Sequence, residues 1–276
     1  MKKIIVIYLI FVCYQVYGKC SPKSYLSSIN FQEIGGNPKK DIIIYAHGLN
    51  SSVNATSTFL KQTNQSFYLV APTLPGHDET SKNMAKITLQ QILDFYDYLF
   101  CIVKNKDLPI HFIGHSFGAL SFLYALEKIN SKIEFQSITL LAPAITPKYS
   151  WAIRLLKFLP NSLPIPSLAP KKFRLFWATP LGAYKRALEM SEYLLQNNLT
   201  QFKKSSFKII LSKEDHLIDW EKLRKWIKSQ KGMRIDSQYY QKSGTHPAHL
   251  LFIPAESTFE KNYINTLLDE LLNHIQ

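Results

Sequence analysis

Residues 113–118 read Ile-Gly-His-Ser-Phe-Gly, a Gly-x-Ser-x-Gly sequence centred on Ser116. The apolar run Leu108–Ile113 leads into it and predicts a strand, and the run Ala119–Lys128 follows it and predicts a helix. A serine between two glycines at a strand-to-helix junction lies on a sharp turn that exposes its hydroxyl to a base and to a substrate. The stretch therefore predicts a strand-turn-helix unit with a nucleophilic serine.

Short apolar runs alternate with helical patterns along the rest of the chain. Strands are predicted at 42–45, 67–71, 110–113, 137–141, 207–211 and 233–239. Helices are predicted at 57–62, 88–103, 119–129, 220–229 and 258–274. This alternation predicts an α/β fold with a doubly wound, mostly parallel sheet. The loops after the strands would then meet at one edge of the sheet.

A serine nucleophile needs a base, and the base needs an orienting acid. Where the serine lies on a strand-to-helix turn of this kind, the acid and then the histidine follow it along the chain. Asp215, Glu214 and Asp219 follow the predicted strand 207–211, and Asp219 is also placed to cap the helix that begins at Trp220. The histidine candidates are His246 and His249, both after the last predicted strand. No carboxylate or cysteine lies at ligand spacing from this pair, so no metal site is predicted.

A further predicted strand ends in Ala46-His47-Gly48-Leu49. Gly48 allows the backbone to turn so that the amide of Leu49 faces the active centre. The amide of Phe117, directly after the serine, would be the second donor of an oxyanion hole. Such donors contribute on the order of 3 kcal/mol each to transition-state stabilisation.

These residues together resemble the α/β-hydrolase family, in particular its lipase, esterase and serine-aminopeptidase branch and its monoacylglycerol-lipase-like members. The resemblance extends from about Phe31 to Gln276. It rests on five features: the turn 47–49, the turn Pro75-Gly76-His77, the serine turn 114–118, the acid loop around Asp215 and the histidine loop around His246. It implies an α/β-hydrolase fold with an inserted helical cap and no cofactor.

The resemblance also implies roles for single residues: Ser116 as the nucleophile, Asp215 as the orienting acid and His246 as the base. Asp215 is favoured because the family places the acid before a short apolar step, and His246 because it follows a small residue. His47, His77 and His115 are expected to shape and hydrogen-bond the site. Two departures concern the acyl pocket: Asn50-Ser51-Ser52 and Asp78 stand where the family often has glycine.

The segment 146–206 differs from the rest in charge. The whole chain has a net charge of +13, and this segment has ten basic residues against two acids, Glu189 and Glu192. It resembles the cap of the family, with Trp151, Phe176 and Trp177 as candidate substrate contacts. Its basic and aromatic side chains would hold an acyl chain or rest on an anionic membrane; alternatively, its apolar side packs on the core. No Arg-rich or recognition-helix pattern predicts nucleic acid binding.

Residues 1–18 have the build of a signal peptide: Lys2-Lys3, the apolar stretch Ile4–Cys13, and Gly18 before a cleavage site. We therefore expect an exported protein, with a hydrolase core formed by 19–145 and 207–276 and a cap at 146–206. A buried first strand is the alternative for this leader. The sequence leaves open whether Cys20 and Cys101 form a disulfide.

The sequence thus favours a serine hydrolase that cleaves carboxylic esters, with a small lipid-like ester such as a monoacylglycerol or lysophospholipid as substrate. Two alternatives remain. One is an amide-cleaving aminopeptidase, which needs acidic groups to hold a free amino terminus. The other is a hydrolase-fold binding protein without catalytic activity, against which the full set of triad residues counts.

Overall fold

The computed structural model describes residues 20, 31–35, 41–53, 67–78, 80–129, 133–167, 169, 171–200, 205–231, 235–240, 249 and 274. The leader 1–18 and the predicted helix 57–62 lie outside these residues, as does the predicted helix 258–274 apart from His274.

The described part of the chain forms nine strands and six α-helices. The strands are β1 (Phe31–Gly35), β2 (Ile42–Ala46), β3 (Tyr68–Pro72), β4 (Ile110–His115), β5 (Ser137–Leu141), β6 (Pro164–Pro166), β7 (Ala178–Pro180), β8 (Ser206–Ser212) and β9 (Ile235–Tyr240). The helices are α1 (Ser81–Lys86), α2 (Leu89–Lys104), α3 (Phe117–Lys128), α4 (Ser150–Leu155), α5 (Leu181–Gln196) and α6 (Trp220–Ser229).

Seven strands form the main sheet in the order β1-β3-β2-β4-β5-β8-β9. Its edge strand β1 is antiparallel to β3, whereas all the other neighbours are parallel. The predicted doubly wound, mostly parallel sheet is confirmed, and the six predicted strands lie within one or two residues of the observed ones. The strand β1 and the short helix α1 were not predicted.

Burial explains why the central strands were recognisable from the sequence. Every residue of β2 and of β4 is buried, as expected for parallel strands covered on both faces. Helix α3 is buried along Phe117–Leu126 because it packs between the sheet and the helices α2 and α5. The ring of Phe112 on β4 stacks on that of Phe122 on α3, with ring centroids 3.5 Å apart. This contact fixes the helix that follows the serine against the strand that precedes it.

Between β5 and β8 the chain leaves the main sheet. This stretch contains α4, α5 and a 3₁₀ turn at Lys171–Phe173, together with an antiparallel ribbon formed by β6 and β7. The ribbon was not expected in a segment predicted to be helical. Prolines at its ends suit a two-stranded ribbon, because the edge of a strand tolerates a residue without an amide hydrogen.

A disulfide joins Cys20 to Cys101 on α2, across 81 residues of sequence. The pairing that the sequence left open is therefore present. It ties Cys20 covalently to α2. Within the described residues, no helix is both long enough and apolar enough to cross a membrane.

Candidate active site

Ser116 lies on the turn between β4 and α3 in a backbone conformation that is rare for a serine, with φ of 49° and ψ of −110°. Such a conformation is strained for a residue with a Cβ, and strained residues often mark functional sites. The main chain around it is held by its neighbours: its amide donates to the carbonyl of Leu141, and its carbonyl accepts from the amides of Leu120 and Ala144. The turn is therefore rigid.

Both glycines of the sequence 114–118 are required by close packing. A Cβ at Gly114 would lie 2.6 Å from the ring of Phe112 and 2.8 Å from the Cα of Ala119. A Cβ at Gly118 would lie 2.4 Å from the carbonyl oxygen of Ala46. Without these side chains, the first turn of α3 approaches the end of β2. The turn at 47–49 is thereby brought beside Ser116.

The acid loop follows β8, and Asp215 is fully buried in it. Its Oδ1 accepts hydrogen bonds from the amides of Leu217 (2.8 Å) and Ile218 (2.9 Å), which leaves Oδ2 for another partner. Asp219 instead caps α6, because its side chain accepts from the amide of Lys222. The capping contact that the sequence predicted for Asp219 is thus present, and Asp215 makes different contacts.

The imidazole that joins these two side chains belongs to His249. Its Nε2 lies 2.8 Å from the Oγ of Ser116, and its Nδ1 lies 2.8 Å from the Oδ2 of Asp215. The network assigns the proton on Nδ1 to the bond with the carboxylate, so that Nε2 accepts from the serine hydroxyl. Serine, histidine and aspartate thus form one hydrogen-bonded chain.

The sequence analysis favoured His246 as the base over His249, and the ring that the structure joins to Ser116 and Asp215 is that of His249. His246 itself lies outside the described residues. The two histidines are three residues apart in the sequence, and only contacts with distant segments decide which ring reaches the serine. The sequence does offer one signal: His246 precedes Pro247, which restricts its backbone to extended conformations, whereas His249 stands directly before the apolar run 250–253.

His115 holds the backbone of His249. Its Nε2 donates to the carbonyl oxygen of His249 at 3.0 Å, and its ring lies close to the position that a Cβ on Gly48 would occupy. Burial, followed by repulsion from His249, lowers the pKa of His115 from 6.5 to about 4. The ring is therefore neutral at pH 7, as its shaping role requires.

His47 and His77 support the turn at 47–49 by accepting hydrogen bonds from backbone amides. The Nε2 of His47 accepts from the amide of Leu74 at 3.1 Å, and the Nε2 of His77 accepts from the amide of Asn50 at 3.2 Å. Burial lowers the pKa of His47 to about 3 and that of His77 to about 4. Neutral rings with a free lone pair on Nε2 are needed to accept these bonds, so the low pKa values suit their structural role.

Electrostatics at Asp215 favour the ionised carboxylate. Burial by itself would raise the pKa of this carboxyl. The attraction of His249, together with hydrogen bonds from that ring and from the amides of Ile218 and Leu217, outweighs burial and lowers the pKa below its ordinary value. A carboxylate in this state can hold the imidazole and stabilise its protonated form.

The other predicted site residues differ in their burial and in their contacts. Leu49 is partly buried against the core, and Phe117 is buried at the start of α3. Within the described part of the chain, neither amide donates to a backbone carbonyl. Trp151 and Trp177 are 60% and 65% exposed. Phe176 is partly buried, and its main chain contacts Asn50. Asn50 had appeared only as a departure from the family.

Three comparisons with known proteins bear on this site. The sequence model of the alpha/beta hydrolase fold matches residues 41–164. “Putative esterase/lipase 3” of Mycoplasma genitalium is 32% identical over 107 residues, and the match spans 38% of this chain and only 37% of that protein.

Two solved structures are similar in fold. A monoglyceride lipase from Saccharomyces cerevisiae in complex with a substrate analogue has a TM-score of 0.68 at 15% identity, covering 90% of this chain and 91% of that one. The monoacylglycerol lipase of Paleococcus ferrophilus has a TM-score of 0.67 at 13% identity, covering 90% and 99%. The sequence match, the sheet topology and these similar structures agree, and the chain has an α/β-hydrolase fold.

Proposed function

We propose that the protein hydrolyses carboxylic esters through an acyl-enzyme on Ser116. The observation that carries the proposal is the pair of 2.8 Å hydrogen bonds that link Ser116 to His249 and His249 to Asp215. This is the arrangement that transfers a proton from a hydroxyl as it attacks a carbonyl carbon.

The reaction proceeds in two halves. The Oγ of Ser116 bonds to the ester carbonyl carbon while its proton moves to the Nε2 of His249. The amides of Leu49 and Phe117 hold the negative oxygen. The bond to the alcohol then breaks, and the alcohol leaves with the proton from His249. In the second half, water attacks the acyl-enzyme by the same route and releases the carboxylic acid.

Ester cleavage is favoured over aminopeptidase activity because the two acidic residues of the segment 146–206 are already paired with arginines. Glu189 forms an ion pair with Arg186 at 2.9 Å, and Glu192 forms one with Arg154 at 2.8 Å. Each carboxylate is thus paired with an arginine of its own segment. A free amino terminus of a substrate would have to compete with these pairs.

The substrate class that we propose is a small lipid-like ester, such as a monoacylglycerol or lysophospholipid. Support comes from the apolar and aromatic side chains between β5 and β8 and from the two monoacylglycerol lipases of similar fold. An ester series of increasing acyl length, assayed beside aminoacyl amides, tests the class. Faster turnover of amides than of esters by the wild type would reject it.

The catalytic assignment is tested by covalent labelling. A fluorophosphonate is expected to label the wild type and not Ser116→Ala. Absence of labelling in the folded wild type would instead support a binding protein without catalytic activity. The circular dichroism spectrum of each protein shows whether it is folded.

We also propose that the cap touches anionic membranes. Phe158 is 86% exposed, and Tyr149, Trp151 and Leu155 are exposed nearby, among the cations Lys148, Arg154 and Lys157. Apolar side chains interleaved with cations suit the interface of an anionic bilayer. Flotation with anionic vesicles is expected to carry the wild type and much less of the variant Phe158→Ser. If the wild type floats equally well with neutral and with anionic vesicles, the proposed attraction between the cations of the cap and the anionic lipids is contradicted.

Export is the remaining proposal. The disulfide between Cys20 and Cys101 supports it, since such bonds persist in oxidising compartments and are rare in the cytosol. Cleavage of the leader after Gly18 would leave Cys20 as the second residue of the mature chain. Mass spectrometry of the first residue of the protein recovered outside the cytoplasm tests this proposal. Recovery of full-length protein only in the cytoplasm would reject it.

A further inference from the structure

Asn50 links the turn beside Ser116 to the segment between β5 and β8. Its side-chain Oδ1 accepts from the amide of Phe176 at 2.7 Å, and its Nδ2 donates to the carbonyl oxygen of Phe176 at 2.9 Å. Its own carbonyl accepts from the amide of Leu175 at 2.8 Å. We call residues 174–177 the strap. One amide side chain thus pairs with both polar groups of a single peptide residue in the strap.

Asn50 is itself held firmly on the core side. It is 4% exposed, and its amide donates to the Nε2 of His77. Its φ of 55° lies in the left-handed region, which asparagine and glycine tolerate better than other residues. Glycine would satisfy the backbone but could not reach the strap.

The strap is anchored at its other end by the ribbon. The amide of Ser167 donates to the carbonyl of Trp177, and the guanidinium of Arg174 donates to the carbonyl of Ser167 at 2.9 Å. The strap is therefore tied to the ribbon on one side and to Asn50 on the other. The residue before Asn50 is Leu49, whose amide is a proposed oxyanion donor.

We propose that Asn50 is a positioning residue that fixes the amide of Leu49 relative to the strap. Resting on the proposed ester hydrolysis, this assignment makes the strap a fixed rim of the acyl site. Loss of the side-chain amide would free the strap and let the peptide of Leu49 shift. A shift of about 1 Å at such a donor is enough to slow catalysis by about 100-fold.

The variants are chosen so that the backbone is not strained. Asn50→Gly keeps the positive φ and removes both side-chain bonds. Asn50→Asp keeps an acceptor for the amide of Phe176 but places a carboxylate oxygen against the carbonyl of Phe176. The matched control is Ser191→Ala, which removes another buried bond between this segment and the core, from the Oγ of Ser191 to the carbonyl of Ile145 at 2.6 Å.

Two measurements decide the proposal. Hydrogen exchange by mass spectrometry should show faster exchange at the amide of Phe176 in Asn50→Gly than in the wild type and in Ser191→Ala. With a short-chain ester, kcat should fall about 10- to 100-fold in both Asn50 variants, with KM nearly unchanged. Ser191→Ala should lower the melting temperature with kcat kept within about twofold, as for loss of a structural bond alone.

The outcomes separate this proposal from the proposed function. We call the two hydrogen bonds between the side chain of Asn50 and the main chain of Phe176 the clamp. Unchanged exchange at Phe176 in Asn50→Gly would show that the clamp does not hold the strap, whatever reaction the protein catalyses. Faster exchange with an unchanged kcat overturns the positioning role. A kcat that falls equally in Ser191→Ala also overturns it. A folded wild type that turns over no ester contradicts the proposed function, and with it the positioning role, while exchange still decides whether the clamp exists.

Discussion

The ring of His115 donates a 3.0 Å hydrogen bond to the backbone carbonyl of His249. The residue immediately before Ser116 therefore holds the main chain of His249, whose ring is hydrogen-bonded to the Ser116 hydroxyl. This bond fixes the register of the histidine loop against the serine turn. A histidine three positions away cannot take the same place without breaking it.

The first prediction follows from this register. His249→Ala is expected to lower kcat for ester hydrolysis by about 10⁴- to 10⁶-fold, because in the described part of the chain His249 is the ring hydrogen-bonded to the Ser116 hydroxyl. His246→Ala is expected to remain within severalfold of the wild type. Steady-state kinetics on a soluble ester measures both variants. The reverse pattern would restore His246 as the base.

A second prediction concerns the packing of α3 on β2. Gly118→Ala places a methyl group 2.4 Å from the carbonyl oxygen of Ala46, and the backbone must move to relieve the overlap. The expected cost is about 1–3 kcal/mol of unfolding free energy, together with a lower kcat because Phe117 shifts. Urea unfolding provides the measurement, and Lys225→Ala on the exposed side of α6 is the control. A change no larger than that of the control would refute the packing argument.

The disulfide gives a third prediction. Its removal in Cys20→Ser/Cys101→Ser is expected to lower the free energy of unfolding by about 2–5 kcal/mol, since the bond closes a long loop in the unfolded chain. Dithiothreitol should lower the melting temperature of the wild type and leave that of the double variant unchanged. If reductant affects both proteins equally, the bond is absent from the folded protein.

A fourth prediction concerns pH. His47, His77 and His115 have folded pKa values of about 3, 4 and 4, against an ordinary value of 6.5. The unfolded chain therefore binds more protons between about pH 4 and 6.5, and stability falls as the pH is lowered through this window. Each histidine contributes about 1 kcal/mol per pH unit.

Above pH 6.5 these histidines are neutral in both the folded and the unfolded chain. The free energy of unfolding therefore no longer changes with pH on their account, and it has its full value there. Urea unfolding between pH 4.5 and 7.5 measures the dependence. In His77→Asn the slope should be smaller by about 1 kcal/mol per pH unit, whatever the absolute stability of the variant. Equal slopes in the two proteins would show that His77 is not buried in its neutral form.

The sequence by itself determined the elements that depend on local pattern. The glycines around Ser116, the apolar runs of β2, β4, β5 and β8, and the capping role of Asp219 all follow from neighbouring residues. The order of strands then brought the serine and acid loops to one edge of the sheet. Parallel strands with buried faces have little freedom to do otherwise.

Only the tertiary structure decided the features that depend on contacts between distant segments. These are the selection of His249 over His246, the pairing of Cys20 with Cys101, the antiparallel strand β1, and the clamp between Asn50 and Phe176. In each case the local sequence permits several arrangements of similar energy. Hydrogen bonds, packing and a covalent bond from residues far along the chain select one of them.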